Sequence, residues 1–211
     1  MGLNLFLSAS IPLADRDKKY YNTIDIIAIR DAVRALAATV LPHAMLVWGG
    51  HPAITPLFRS VLLRMDVKVK SHVTSYQSKF FIGEFPEDNE CVENICLTDM
   101  VRRRTREKTR NASLEEMRRR MLTEHEYAAG IFIGGMEGVE DEFKLFKKYN
   151  SAAFCIPVAS TGGAAFELFE SKEKSGGIVL PEGFESQRLK YDFDYRSLFL
   201  DLFGKSMIEC E

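Results

Sequence analysis

Three short apolar runs in this chain end in a glycine pair and lead into a helical pattern: Leu46-Val47-Trp48-Gly49-Gly50-His51, Ile131-Phe132-Ile133-Gly134-Gly135-Met136 and Val158-Ala159-Ser160-Thr161-Gly162-Gly163-Ala164. A glycine pair lets the backbone turn tightly and come close to a ligand. A helix starting there presents unpaired N–H groups and a partial positive charge to an anion. The chemistry this spacing suits is phosphate binding, so the ligand it predicts is a nucleotide or a nucleotide derivative. Thr161, just before a helix, can cap it and bind phosphate with the same hydroxyl. Ser8 and Ser10 stand at the end of the first predicted strand, where they face a crevice at the strand ends or simply cap a turn. His51 precedes Pro52 and is held extended at a helix entrance, from which it can contact the ligand. No second histidine or cysteine lies at ligand spacing to it, so no metal site is expected.

Cationic residues extend the list. Arg118, Arg119 and Arg120 cannot all point one way on a helix. Arg118 or Arg119 is the candidate for a bidentate contact with phosphate or carboxylate, and at least one of the three is solvated. The basic run Arg102-Arg103-Arg104-Thr105-Arg106-Glu107-Lys108-Thr109-Arg110 could neutralise nucleic-acid phosphates. It lacks interleaved aromatic residues to stack bases, and the net charge of the chain is −2. A solvated loop, or a lid closing on polyphosphate, is the reading it favours over nucleic acid. Tyr76 and Gln77, in an irregular stretch, are candidates to stack on and hydrogen-bond a base.

The elements that must position these residues alternate along the chain. A strand over Leu3 to Leu7 precedes a helix on which Ile26, Ile29, Val33, Leu36 and Val40 recur, with Pro42 as the stop. A strand at Ala44 to Trp48 meets the first glycine pair. Pro52 then opens a helix carrying Ile54, Leu57, Phe58, Val61, Leu62 and Met65. Val67, Val69 and Val73 alternate like a strand, and Val92 to Leu97 returns to the sheet. Ser113 with Glu116 reads as a capping box that opens a helix through Leu114, Met117 and Met121. Gly130 to Ile133 and Ala152 to Val158 are strands, each followed by a helix, and about 191–207 is a closing helix with Leu198, Phe199, Leu202 and Phe203 in one stripe. That stripe packs on the sheet or on a partner. The order predicts an α/β fold: a doubly wound, mostly parallel sheet with helices on both faces, formed by residues 1–211 as a single domain.

Composition fits that reading. A chain of 211 residues that is 46% hydrophobic can fill one sizeable core. The four cysteines, Cys91, Cys96, Cys155 and Cys210, sit at no metal-ligand spacing, and Cys155 lies in an apolar strand. A reduced, cytoplasmic protein is expected. The apolar start at Met1 to Pro12 lacks a basic leader and runs into Asp15-Arg16-Asp17-Lys18-Lys19. No run reaches the roughly 18 apolar residues that a membrane helix needs, so no membrane association is expected.

These residues carry a resemblance. The chain resembles the SLOG superfamily, Rossmann-like domains related to the LOG phosphoribohydrolases and to the DNA-processing protein DprA, and within it SLOG cluster 3. The matching segments are Phe6-Leu7-Ser8-Ala9-Ser10-Ile11-Pro12, Trp48-Gly49-Gly50-His51-Pro52-Ala53-Ile54, and Glu116-Met117-Arg118-Arg119-Arg120-Met121 leading to Gly134-Gly135-Met136-Glu137-Gly138-Val139-Glu140-Asp141-Glu142, followed by the third glycine pair with its two alanines. The resemblance covers Leu3 to Glu170.

It implies two functions of different class. Many SLOG members are expected to sense nucleotide-derived signals such as ADP-ribose derivatives or cyclic nucleotides, in signalling or antiphage defence. LOG enzymes use a proline-glycine-glycine-x-glycine-threonine-x-x-glutamate motif and an upstream arginine to cleave base from ribose phosphate. Here Ile133 replaces the proline, Glu137 stands at a glycine position and Gly138 at the threonine. Glu140 and Glu142 compete for the carboxylate role, with Glu142 preferred if one residue is inserted, and Arg119 as the arginine of an enzyme. Glu137 in a first helical turn would repel phosphate at the second pair. The site expected is therefore Ser8, Ser10, Gly49, Gly50, His51, Arg118, Gly134, Gly135, Thr161, Gly162 and Gly163, with phosphates at Gly49-Gly50 and Thr161-Gly162-Gly163. Binding or sensing comes first, N-glycosidic hydrolysis second and single-stranded nucleic-acid binding third. A homodimer and a protein effector partner are expected, and no cofactor.

Overall fold

The computed structural model describes residues 3–12, 18–85, 87–173 and 178–208, so Asp15, Arg16, Asp17 and Cys210 lie outside the described residues. Six strands, β1 Leu3–Ser10, β2 Ala44–Trp48, β3 Val73–Ser78, β4 Asn94–Thr98, β5 Ala129–Gly134 and β6 Phe154–Val158, alternate with α1 Lys18–Tyr21, α2 Ile26–Val40, α3 Thr55–Leu62, α4 Arg106–Thr123, α5 Glu137–Tyr149, α6 Gly163–Glu173, α7 Arg188–Tyr191 and α8 Tyr195–Ile208. The strands form one sheet in the order β4-β3-β2-β1-β5-β6, and every pairing is parallel. This is the doubly wound α/β fold that the alternation of elements predicts. The chain runs outward from β1 to β4 on one side and from β5 to β6 on the other. The reversal between β1 and β5 opens a crevice at the strand ends.

Strand periodicity assigns the two faces. Leu5, Leu7 and Ala9 of β1 enter one core layer and Phe6 the other. Because β1 continues to Ser10, beyond the Leu7 limit read from sequence, the period of two puts Ser8 on the Phe6 side. The layer below Leu5 and Leu7 is built by α2, α3 and α8; α4 and α5 cover Phe6. Asp25 caps α2, its carboxylate accepting from Ala28 N at 2.9 Å. Ile29, Val33, Leu36 and Val40 are wholly buried. The stripe Leu198, Phe199, Leu202 and Phe203 belongs to α8, which packs on α2 of the same chain.

Local readings change too, beginning with Tyr76 and Gln77, which lie on β3 and not in an irregular stretch. Val67 to His72 is a 3-10 helix capped by Asp66, whose carboxylate accepts from Lys68 N, and the strand starts only at Val73. Pro52 lies in a turn, and the helix after it starts at Thr55 with Pro56 in its first turn. The closing helix is split into α7 and α8. Ser113 opens nothing: α4 starts at Arg106 under a Thr105 cap, and Ser113 sits inside it, donating to Thr109 O at 2.7 Å and accepting from Val101 N at 3.0 Å.

The third glycine turn is a structural joint. Thr161 is fully buried, its Oγ1 donating to Val158 O at 2.6 Å and accepting from Gly134 N at 2.9 Å. Gly163 N donates to Thr23 Oγ1 at 3.0 Å, and Ala164 N to Gly135 O at 2.9 Å. Gly162, at φ +72°, has Thr23 O only 1.9 Å from where a Cβ would stand. Gly162→Ala is therefore expected to lower the unfolding free energy by about 3–5 kcal/mol. Gly83→Ala, at φ +90° but with nothing within 4 Å, should cost only the backbone strain of about 1–2 kcal/mol. Urea denaturation of the two variants measures the difference.

Candidate functional site

At the carboxyl ends of β1, β2 and β3 and the start of α5 lies a cavity of about 380 Å³. Its floor carries a constellation of three side chains from three elements. Ser8 Oγ donates to Glu142 Oε2 at 2.6 Å, and Arg118 Nε donates to Glu142 Oε1 at 3.1 Å. Glu142 is placed by α5, which turns Val139, Phe143 and Phe146 into the core. Arg118 is placed by α4, whose neighbouring Met117 and Met121 are buried. Only 18% of the Arg118 side chain and 15% of the Glu142 side chain is exposed, so the charge-assisted bonds are partly shielded from water and hold the carboxylate in one orientation.

Beside this floor, α5 starts at Met136 without a side-chain cap. Val139 N donates to Met136 O at 2.9 Å, and the Glu137 and Gly138 N–H groups before it have no intrahelical partner, the arrangement that suits an anion. Gly138 leaves room for the arginine: a Cβ there would stand 3.1 Å from Arg118 Nη2. The cavity's charges nearly cancel. Arg110 and Arg118 line it together with Glu84, Glu137 and Glu142. Glu84 pairs with Arg106 at 3.3 Å and Glu142 with Arg118. Glu137 is exposed.

The sequence-predicted residues divide sharply in place. Ser8, Ser10, Gly49, Gly50, His51, Arg118 and Glu142 line the cavity. The second glycine pair does not. Gly134 N is taken by Thr161 Oγ1 and Gly135 N by Ser10 O, and a Cβ on Gly134 would stand 2.3 Å from Ile29 Cδ1. Thr161, Gly162 and Gly163 do not line it either, because their turn is clamped onto Thr23 and the second pair. The turn expected to hold a phosphate is buried, with the Thr161 hydroxyl and the Gly163 N–H already committed within the protein. Arg119 points elsewhere and forms a bidentate pair with Glu116 at 2.7 and 2.9 Å. Glu140 pairs with Lys19 and Tyr20 at 3.2 and 3.0 Å, so of the two competing carboxylates it is Glu142 that lines the cavity.

The basic run is no free loop. Arg106 to Arg110 form the start of α4, and Arg103 is pinned to Thr109 by a reciprocal pair of bonds at 2.9 and 3.2 Å. Only Arg110 of that run lines the cavity. Tyr76 is buried away from it, bonded to Glu124 at 2.7 Å and to His125 at 3.0 Å, whereas Gln77 lines it. Phe81, Leu114 and Met117 add apolar wall. Met117 was legible as a core residue by its period, but nothing in the sequence marked Phe81. Among the described residues no group of three or more His, Cys, Asp or Glu could hold a metal, and no helix is long and apolar enough to cross a membrane.

The model of the SLOG cluster3 family matches residues 19–202. The chain belongs to the SLOG cluster3 family. A crystal structure of TM1055, a structural-genomics target, is similar with a TM-score of 0.51 at 12% identity, covering 94% of this chain and 98% of that one. At that identity the likeness is one of fold. No curated protein matches the chain.

In this SLOG chain His51 anchors the turn after β2. Its carbonyl accepts from Ile54 N, Thr55 N and Thr55 Oγ1, and its Nδ1 accepts from Ala53 N at 3.2 Å, so the ring proton sits on Nε2. Burial holds the His51 pKa below the ordinary 6.5. As pH falls through 6.5 the unfolded chain takes up the proton first, so His51's contribution to stability, complete above that pH, declines below it. Burial shifts His125 the same way. The unfolding free energy should therefore drop between pH 7.5 and 5.5, and His51→Asn should make that drop smaller; urea titrations at the two pH values measure it.

Proposed function

We propose that this protein binds a small nucleotide-derived molecule, carrying ribose and a single phosphate, as a sensor or accessory subunit. The observation that carries this is the Ser8–Glu142–Arg118 constellation beside the uncapped start of α5. Glu142, fixed by its two donors, offers its remaining acceptor directions to ribose hydroxyls, as acidic residues do in related crevices. Arg118 and the Glu137 and Gly138 amides of α5 take the phosphate, the repulsion expected from the Glu137 carboxylate being screened because that side chain is exposed to water. With Glu84 paired to Arg106, the two lining guanidiniums face Glu137 and Glu142, so each added phosphate meets little uncompensated positive charge and one is favoured over two. The volume, about 380 Å³, suits a mononucleotide.

Hydrolysis of the bond between base and ribose is the second reading, and the fixed carboxylate is what favours it. There Glu142 would stabilise positive charge developing at C1′ as the base departs with the bonding pair. Water then adds its oxygen to C1′, and the base recovers a proton.

Thermal unfolding with AMP, ADP-ribose, NAD and ribose 5-phosphate separates these readings. A ligand at 100 times its Kd adds about 2.7 kcal/mol of stability. AMP is expected to stabilise more than ADP-ribose, and Arg118→Ala to weaken AMP binding by about 1.5–3 kcal/mol. A larger shift with ADP-ribose overturns the single-phosphate reading, and no shift with any of the four overturns binding. Free adenine released from AMP, and lost in Glu142→Gln with binding retained, moves the assignment to hydrolysis.

A further inference from the structure

Across the cavity from Glu142, at the end of β3, two polar side chains are buried without a partner. Gln77 is 4% exposed, and neither its Nε2 nor its Oε1 has a hydrogen-bond partner among the described residues; Ser75 Oγ, wholly buried, also has none. Both lie under the first glycine turn: a Cβ on Gly50 would stand 2.7 Å from Gln77 Nε2 and 2.8 Å from Ser75 Oγ. Buried polar groups are nearly always paired, and an unpaired one is costly. On the cavity floor, by contrast, Ser8, Glu142 and Arg118 satisfy one another. The carboxamide of this cavity-lining residue therefore has both a donor and an acceptor uncommitted, covered by the Gly50 turn.

We propose that Gln77 is the specificity-determining residue of this site, its carboxamide reading a planar group that presents a hydrogen-bond donor and acceptor side by side. The inference rests on the ribosyl-phosphate reading above, because a phosphate held at α5 sends the rest of the ligand across β2 toward β3. A carboxamide pairs bidentately with the amino-and-ring-nitrogen edge of a nucleobase or with the carboxamide of a nicotinamide. Phe81, Leu114 and Met117 supply apolar walls for a flat ring. Gly50 explains the glycine at this position. Any side chain there would lie on the Gln77 amide, whereas a glycine turn can yield as the ring edge arrives.

Calorimetry on the full chain tests this with AMP, nicotinamide mononucleotide, purine riboside 5′-monophosphate and ribose 5-phosphate. Purine riboside keeps the ring and phosphate of AMP and lacks the amino donor. AMP or nicotinamide mononucleotide, whichever supplies the edge, is expected to bind about 5- to 150-fold tighter than purine riboside 5′-monophosphate and ribose 5-phosphate. In Gln77→Met and Gln77→Leu that preference should vanish while ribose 5-phosphate affinity is kept. The melting temperature of the free variants should be unchanged or higher, since uncommitted polar atoms are removed. Equal binding of all four by the natural chain, or a preference that survives both substitutions, overturns the role of Gln77 and leaves the phosphate site standing. If none of the four binds, the ribosyl-phosphate reading falls and this inference with it.

Discussion

Three strand ends are tied together by a few hydrogen bonds around the second glycine pair, and the position of α5 depends on them. Gly135 N donates to Ser10 O at the end of β1, Gly134 N to Thr161 Oγ1 beyond β6, and Gly135 O accepts from Ala164 N at the start of α6. Both glycines have positive φ, at +58° and +85°, so the chain leaves β5 sharply and enters α5 over the crevice. With that departure fixed, one turn and a half of helix delivers Glu142 to Ser8 and Arg118. The amides that a sequence motif would assign to a ligand are spent on building the place where the ligand goes.

The floor of the cavity is consequently rigid. Glu142 belongs to α5, Ser8 to the buried part of β1 and Arg118 to α4, so the three side chains come together only when the whole sheet is formed. Partial burial strengthens each contact relative to one in water. It also means that removing Arg118 would leave a shielded carboxylate with one donor fewer, a cost separate from any loss of ligand contacts.

Much of the fold is written in apolar periodicity. The strand Ala44 to Trp48 follows from an unbroken apolar run, buried on both faces of the sheet, and the helix from Ile26 to Val40 from a buried face that repeats at 3.6 residues. Where a local polar contact overrides the period, the reading fails: Asp66 caps a 3-10 turn through Val67 and Val69, and Thr105 starts α4 before Ser113. The basic residues in that first turn oppose the helix dipole, which disguised the start. The glycine pairs taught a different limit. Glycine reports that the backbone needs φ above zero or close approach, but not what approaches: at Gly162 it is the Thr23 carbonyl, at Gly134 it is Ile29, and at Gly50 it is Gln77 on the cavity lining. Likewise Arg118 and Arg119 are neighbours in sequence yet about 100° apart around α4, so a motif that accepts either cannot tell the one beside Glu142 from the one beside Glu116.

The packing of α8 on α2 has a consequence for how the molecule is made. Leu36 and Val40 are translated well before Phe199 and Phe203, the α8 residues that share their core layer. Until then the nascent chain carries an uncovered apolar helix face beside parallel strands, a combination prone to sticking to other chains.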